Sequence, residues 1–265
     1  MHPLRIQLGF DLDPLIHLGR GDEPEHHAGC LHSALNALDG GADFVCASLD
    51  SDPATRTALA TLAPLVRSRL MLATATDKAA LAFAAKLRPA QLCLREVPDP
   101  AALAELASWV EAESCELLAW LPADTDPARL ESVARAGIKG VRIDALPWSS
   151  ARNVARERAR GRLEALVEAA CEVDLFVHLC KVTTPRCAEE AATIGGVSAV
   201  EIGAGLLPRA LDRGLRPALE GLAQTLVAAQ EAGLALALDE HEHHHDHDHD
   251  HDHDHDHGPS CGRGH

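Results

Sequence analysis

Residues 44–74 read FVCASLDSDPATRTALATLAPLVRSRLMLAT, in which two short apolar runs flank one long segment of helical character. The runs at 44–48 and 70–74 have the length of buried strands, and the segment at 53–69 has the length of a helix. Asp52 precedes Pro53, which combines an N-cap residue with proline at the first helical position. The stretch therefore predicts a strand, a helix and a second strand, the repeating unit of a parallel sheet.

The same alternation continues along the chain. Strands are predicted at residues 4–10, 44–48, 70–74, 92–95, 116–121, 140–144, 175–179 and 199–202. Helices are predicted at residues 32–38, 53–69, 78–86, 100–113, 127–135, 151–173, 185–193 and 217–232. This rhythm predicts the α/β class and a single (β/α)8 TIM barrel over residues 1–238. A doubly wound open sheet is the alternative, but no G-x-G-x-x-G follows the first strand to favour it.

Composition limits the partners and the compartment. The net charge is −16 at pH 7 and there is no basic cluster, which argues against nucleic acid and anionic membrane surfaces. No apolar run approaches membrane-spanning length, and the N-terminus lacks the apolar stretch of a signal peptide. The 8 cysteines include no CxxC pair and mostly lie in apolar runs, as Cys46 and Cys93 do. We therefore predict a cytoplasmic protein with reduced thiols.

A second region, predicted at 239–265, has a different composition. Residues 241–257 are only His, Asp and Glu, so no apolar surface offsets the entropy of ordering, and we predict a disordered tail. Imidazole and carboxylate bind divalent ions, so nickel, zinc or copper is expected, and no organic cofactor. The predicted ligands are His241, His243, His244, His245, His247, His249, His251, His253, His255 and His257. A purification artefact and a merely solubilising tail are the alternatives. Alternation with Asp and the continuation through 258–265 favour a natural metal-binding tail.

Five short motifs give the body a resemblance to a known family. They are Leu8-Gly9-Phe10-Asp11-Leu12-Asp13, Arg20-Gly21, Gly41-Ala42-Asp43, Ala136-Gly137-Ile138-Lys139-Gly140-Val141 and Ile202-Gly203-Ala204-Gly205-Leu206-Leu207-Pro208-Arg209-Ala210. In order and spacing, over most of residues 4–232, they resemble pyridoxine 5′-phosphate synthase, an eight-stranded barrel of the vitamin B6 pathway. The resemblance implies a transferase of pyridoxine biosynthesis that joins 3-amino-2-oxopropyl phosphate to 1-deoxyxylulose 5-phosphate. It also leaves a homo-oligomer as one expected assembly.

Most positions that would supply the family's chemistry differ in this chain. That chemistry needs proton-transfer groups and phosphate-binding groups at the C-terminal ends of the strands. Where the resemblance places histidines of the family, this chain has Pro14, Ser48, Asp144, Lys181 and Ala204. It has Ala73 in place of a glutamate, Asp50 in place of an arginine and Asp11 in place of an asparagine. Asp13, Arg20 and Gly203 match. We therefore expect the family reaction to be lost, and whether the chain is an enzyme stays open.

The same positions provide the candidate site for a small-molecule substrate. Catalytic candidates are Asp13, Lys181 and Asp144, and substrate-binding candidates are Asp11, Arg20, Ser48 and Gly203. We expect Asp11, Asp13, Asp50, Asp144 and Glu201 at or near the barrel mouth, where converging carboxylates favour a metal ion or a cationic ligand. The alternative is that these acids are solvated loop ends or helix caps, which is favoured for Asp50. Lys181 could be a Schiff-base nucleophile or, more commonly, a salt-bridged lysine.

A histidine cluster in the first βα loop is another candidate metal site. His26, His27 and Cys30 lie three or four residues apart on a helix and could share a metal, but an exposed helix start with a buried Cys30 is the commoner arrangement. The chain is interpreted as a repurposed metal-linked barrel enzyme or metal-binding protein. The alternatives are an authentic synthase and a metal storage or delivery protein that uses the tail.

Overall fold

The computed structural model describes residues 5–18, 24–50, 52–97, 106, 110 and 114–245, with the backbone alone for residues 18, 24–28 and 236–245. Eight parallel strands close into a barrel in the order in which they occur in the chain. They are β1 Gln7–Asp11, β2 Phe44–Leu49, β3 Leu70–Thr74, β4 Gln91–Leu94, β5 Glu116–Pro122, β6 Gly140–Asp144, β7 Phe176–Val182 and β8 Val197–Ile202. The predicted TIM barrel is confirmed, and every predicted strand is present within a few residues of its expected bounds.

Helices connect the strands. The described helices are Asp13–Leu18, Pro24–Asp39, Pro53–Val66, Lys78–Leu87, Ala128–Arg135, Leu146–Ser149, Asn153–Glu172, Pro185–Ala192, Leu207–Arg213 and Leu215–His245. The predicted helix at 100–113 falls largely outside the described residues, although Leu106 and Val110 are helical. The last helix ends at His245, so the boundary predicted after residue 238 lies inside it. None of the helices within the described part of the chain is long and apolar enough to cross a membrane.

The predicted start signals act as helix caps. The Asp52 carboxylate accepts a hydrogen bond from the Thr55 amide at 3.2 Å, and the Thr184 hydroxyl accepts one from the Cys187 amide at 3.1 Å. Each cap satisfies an amide that the first helical turn leaves without a backbone partner, and proline follows at the next position. These two signals fix where the chain leaves the barrel mouth and turns into the outer helix layer.

The apolar residues form two cores. The larger core lies between the outer face of the sheet and the helices. The smaller core fills the barrel with Phe44, Cys46, Met71, Ala73, Cys93, Leu118 and Ala199, against which Trp120 and Phe176 pack. Gly9 belongs to the inner side of β1, where an added Cβ would lie 2.5 Å from the Phe44 ring and 2.9 Å from Cγ of Glu201. Glycine is therefore required there by the close approach of two larger inner side chains.

Candidate functional site

The predicted site residues lie where the strands end. Asp11 ends β1 and Asp144 ends β6, Ser48 and Lys181 lie one residue before the ends of β2 and β7, and Gly203 follows β8. The C-terminal ends of parallel strands meet at one face of a barrel, so these residues surround a common mouth. The predicted substrate-binding residue Arg20 lies outside the described residues.

Asp11 and Asp13 form a connected pair at this mouth. The Asp11 carboxylate accepts a hydrogen bond from the Asp13 amide at 3.0 Å, and the Asp13 carboxylate accepts one from the Ser48 amide at 2.6 Å. Burial, followed by the negative charge of Asp13, raises the pKa of Asp11 to about 7. Asp11 is therefore a carboxyl group that exchanges its proton near neutral pH, the property required of a general acid or base.

Asp144 and Lys181 neutralise each other on the other side of the mouth. The Lys181 ammonium donates to the Asp144 carboxylate at 2.6 Å, and Nζ lies 5.5 Å from the centre of the Trp120 ring. The second carboxylate oxygen of Asp144 accepts a hydrogen bond from the Leu146 amide at 3.0 Å. Lys181 has φ of +57° at an irregularity in the pairing of β7 with β8. A non-glycine residue in this conformation is strained, and such strain is common at functional sites.

Glu201 does not join the acids of the mouth, which corrects the sequence-based expectation. It is fully buried inside the barrel, where Arg142 donates to both of its carboxylate oxygens, with Nε at 2.9 and 3.0 Å and Nη2 at 2.6 Å. Although burial alone would raise the pKa of Glu201, the charge of Arg142 lowers it to about 2. Glu201 is therefore the ionised partner in a structural ion pair. Arg142 balances its negative charge, so that charge does not add to those of the acids in the mouth.

Sequence reasoning missed Arg142 altogether. It is buried on β6 two residues before Asp144, and its guanidinium reaches Glu201 on β8. His178 completes the cluster, with Nδ1 3.6 Å from Glu201 and its ring between Phe44 and Phe176 at centroid distances of 5.3 and 5.4 Å. The signal that could have found the pair was a charged residue between apolar neighbours in each of two strands, Val141-Arg142-Ile143 and Val200-Glu201-Ile202. Buried charges in proteins occur in pairs because an isolated one is very costly.

Other predicted positions have structural explanations. The Asp50 carboxylate accepts from the Asp52 amide at 2.9 Å, which fits the loop-end interpretation favoured from the sequence. An added Cβ at Gly203 would lie 2.9 Å from Cβ of Asp11 and 3.0 Å from its carbonyl oxygen. Gly203 thus allows β8 to leave the barrel close beside β1. Ala73 is buried on β3 and Ala204 begins a short turn after β8, and neither side chain can transfer a proton.

Metal sites were predicted in the barrel mouth, in the His26, His27 and Cys30 cluster and in the tail, and the structure describes the side chains of only some of these residues. Among the side chains that are described, no group of three or more His, Cys, Asp or Glu residues is arranged to hold a metal ion. Asp11 and Asp13 accept hydrogen bonds from backbone amides, and Asp144 is paired with Lys181. Cys30 is buried as expected, and burial raises the pKa of its thiol to about 11. The side chains of His26 and His27 and those of the tail ligands lie outside the described residues.

Comparisons with known proteins agree with the barrel and add a family. Among solved structures, tryptophan synthase from M. tuberculosis in its aminoacrylate-bound form matches with 17% identity and a TM-score of 0.57, over 85% of this chain and 93% of that chain. A mutant tryptophan synthase alpha-subunit from Pyrococcus furiosus matches with 15% identity and a TM-score of 0.57, over 88% and 100% of the two chains. At these identities the likeness shows the fold alone.

The family assignment comes from the sequence. No curated protein matches the chain. The family model described as pyridoxal phosphate biosynthesis protein PdxJ matches residues 19–228, which is most of the chain and includes every barrel strand except β1. This agrees with the resemblance found in the sequence motifs. The chain is a member of the PdxJ family.

Proposed function

We propose that this member has kept the family barrel, has lost the family condensation and serves a metal-linked function in the cytoplasm, with its His/Asp tail as the metal-binding element. The Asp144–Lys181 ion pair carries the first part of the proposal. Both positions are those at which the resemblance places a proton-transferring histidine. Here they hold a carboxylate and an ammonium that bind each other at 2.6 Å, so neither is available as a shuttle.

The rest of the mouth supports the same conclusion. Ser48, Asp50 and Ala73 stand where the resemblance places a histidine, an arginine and a glutamate. The family substrates are phosphate esters, and a carboxylate in place of a phosphate-facing arginine repels them. Asp11 keeps one protonatable group in the mouth, but Asp11 and its neighbour Asp13 favour a cationic or neutral substrate over a phosphorylated one.

The composition of the tail supports the metal-linked part. Ten histidines lie within residues 241–257, and all the remaining residues of that stretch are Asp or Glu. Neutral imidazoles spaced along a chain without a hydrophobic core can gather around nickel, zinc or copper, with the carboxylates supplying charge. Such ligands bind several ions of modest individual affinity rather than one enclosed ion.

Truncation tests the metal-linked part. We expect full-length protein, stripped with a chelator and dialysed against nickel, to retain several ions per chain by elemental analysis. A chain ending at His245 keeps the last described helix and should retain fewer ions, and a chain ending at Leu238 should retain none. One tight ion that survives both truncations and disappears in Asp11→Ala would instead place the metal in the barrel mouth. If the full-length protein and the two truncated chains, all with Asp11 intact, retain equal numbers of nickel ions, the proposed role of the tail is contradicted.

A further inference from the structure

The opposite end of the barrel has a different electrostatic character from the mouth. A cavity of about 380 Å³ opens on the N-terminal side of the strands and is lined by Arg67, Ser68, Arg88 and Ser114. Arg67 and Ser68 come from the turn that enters β3, Arg88 from the turn before β4, and Ser114 from the turn before β5. Two arginines and two serines thus line one cavity, in a chain whose net charge is −16.

A second cavity adjoins the first and reaches the lower end of the barrel interior. It measures about 300 Å³, shares Ser68, Ala90 and Ser114 with the first cavity, and is also lined by Phe44 and Gln91 and by the charged residues Asp43, Arg69 and Glu116. Of the two acids, Asp43 is paired with Arg5 and Glu116 accepts from Gln91. The Gln91 side-chain amide donates to Glu116 at 3.0 Å, which fixes its orientation. The other end of that amide, Oε1, is buried and accepts no hydrogen bond from the residues that the structure describes. A buried acceptor without a donor is costly, so Oε1 is a position where a ligand donor would be stabilised.

We propose that these two cavities form one binding site for a small phosphorylated molecule that also carries hydroxyl or amino donors. The phosphate lies between Arg67 and Arg88, where guanidinium groups and serine hydroxyls offer donors to several phosphate oxygens. The donor-bearing part enters the inner cavity and reaches Gln91 Oε1. The site lies at the face of the barrel opposite the mouth, so it is a second ligand site whose existence does not depend on the proposed function.

Calorimetric titration of the full chain tests the phosphate half of the site. The protein is freed of metal with a chelator, so that tail-bound ions cannot hold phosphate, and is titrated with inorganic phosphate and with glycerol 3-phosphate at low ionic strength. Arg67→Gln and Arg88→Gln should each weaken both ligands by about tenfold, since each removes a charge-assisted hydrogen bond. Arg158→Gln is the matched control, because Arg158 is exposed on the helix Asn153–Glu172, away from the cavity.

Gln91→Met tests the inner half. It removes the acceptor while keeping the length of the side chain, so glycerol 3-phosphate should bind several-fold more weakly and inorganic phosphate should bind as before. Three results would overturn the proposal. These are no binding of either ligand at millimolar concentration, an equal loss of binding in Arg158→Gln, and unchanged glycerol 3-phosphate binding in both arginine variants. An equal loss of both ligands in Gln91→Met would contradict the assignment of the inner cavity to the donor-bearing part.

Discussion

The barrel interior and the barrel mouth each hold a buried or half-buried carboxyl group, and the two behave in opposite ways. Arg142 donates to both oxygens of Glu201 in the interior and lowers its pKa to about 2. Asp11 in the mouth has Asp13 as its near neighbour, and burial with that negative charge raises its pKa to about 7. Burial raises the pKa of both carboxyl groups, and the charge of Arg142 outweighs that effect only at Glu201. The interior is therefore built for a fixed charge, and the mouth holds a group that can exchange a proton.

Removing the interior carboxylate should have the largest effect. Glu201→Gln leaves the Arg142 guanidinium buried without a counter-ion, and we expect a loss of about 3–5 kcal/mol in the free energy of unfolding. Urea denaturation at neutral pH measures this loss. The double variant Arg142→Met with Glu201→Leu removes both charges and should be clearly more stable than Glu201→Gln alone. A single variant as stable as the original protein would mean that the ion pair does not hold the interior charge.

A pH-dependent effect should distinguish the mouth from the interior. Because the pKa of Asp11 is raised on folding, the folded state binds a proton more tightly than the unfolded state between pH 3.8 and about 7. The stability from this group is therefore complete at low pH and lost as pH rises through about 7. Asp11→Asn has no carboxyl group to ionise, so its free energy of unfolding does not change for this reason. The free energy of unfolding of Asp11→Asn minus that of the original protein should therefore rise by about 2 kcal/mol from pH 5 to pH 8.

Urea denaturation at those two pH values measures the Asp11 effect. Asp13→Asn is the matched control, since it keeps an acceptor for the Ser48 amide and removes the neighbouring charge that raises the pKa of Asp11. The control should retain part of the pH-dependent change. A difference between Asp11→Asn and the original protein that stays constant across this range would contradict the raised pKa.

The strained lysine in the mouth should give the smallest effect. Lys181 has φ of +57°, a conformation that glycine adopts without cost and alanine does not. Lys181→Gly should therefore be about 1 kcal/mol more stable than Lys181→Ala, although both lose the ion pair with Asp144. Thermal unfolding of the two variants measures the difference. Equal stability would show that the backbone relaxes and that the strain is not imposed by the barrel.

The fold was readable from the sequence because its signals are local. Apolar runs of strand length and the Asp52-Pro53 start signal lie within a few residues of the structure that they specify. The Arg142–Glu201 pair was not readable, because its partners are 59 residues apart and meet only when the barrel closes. Glu201 was expected at the mouth because its strand ends there, but at that register its side chain lies inside the barrel. The Asp144–Lys181 pair joins two residues that were predicted separately and whose contact depends on the pairing of β6 with β7.

The proposed loss of the family reaction at the mouth can be tested directly. The decisive measurement is a turnover assay of folded, full-length protein with 3-amino-2-oxopropyl phosphate and 1-deoxyxylulose 5-phosphate, with a catalytically active family member assayed in parallel. We expect no pyridoxine 5′-phosphate above background, because Asp144 and Lys181 bind each other where the resemblance places proton-transferring histidines. Repeated turnover at a rate near that of the active member would contradict it.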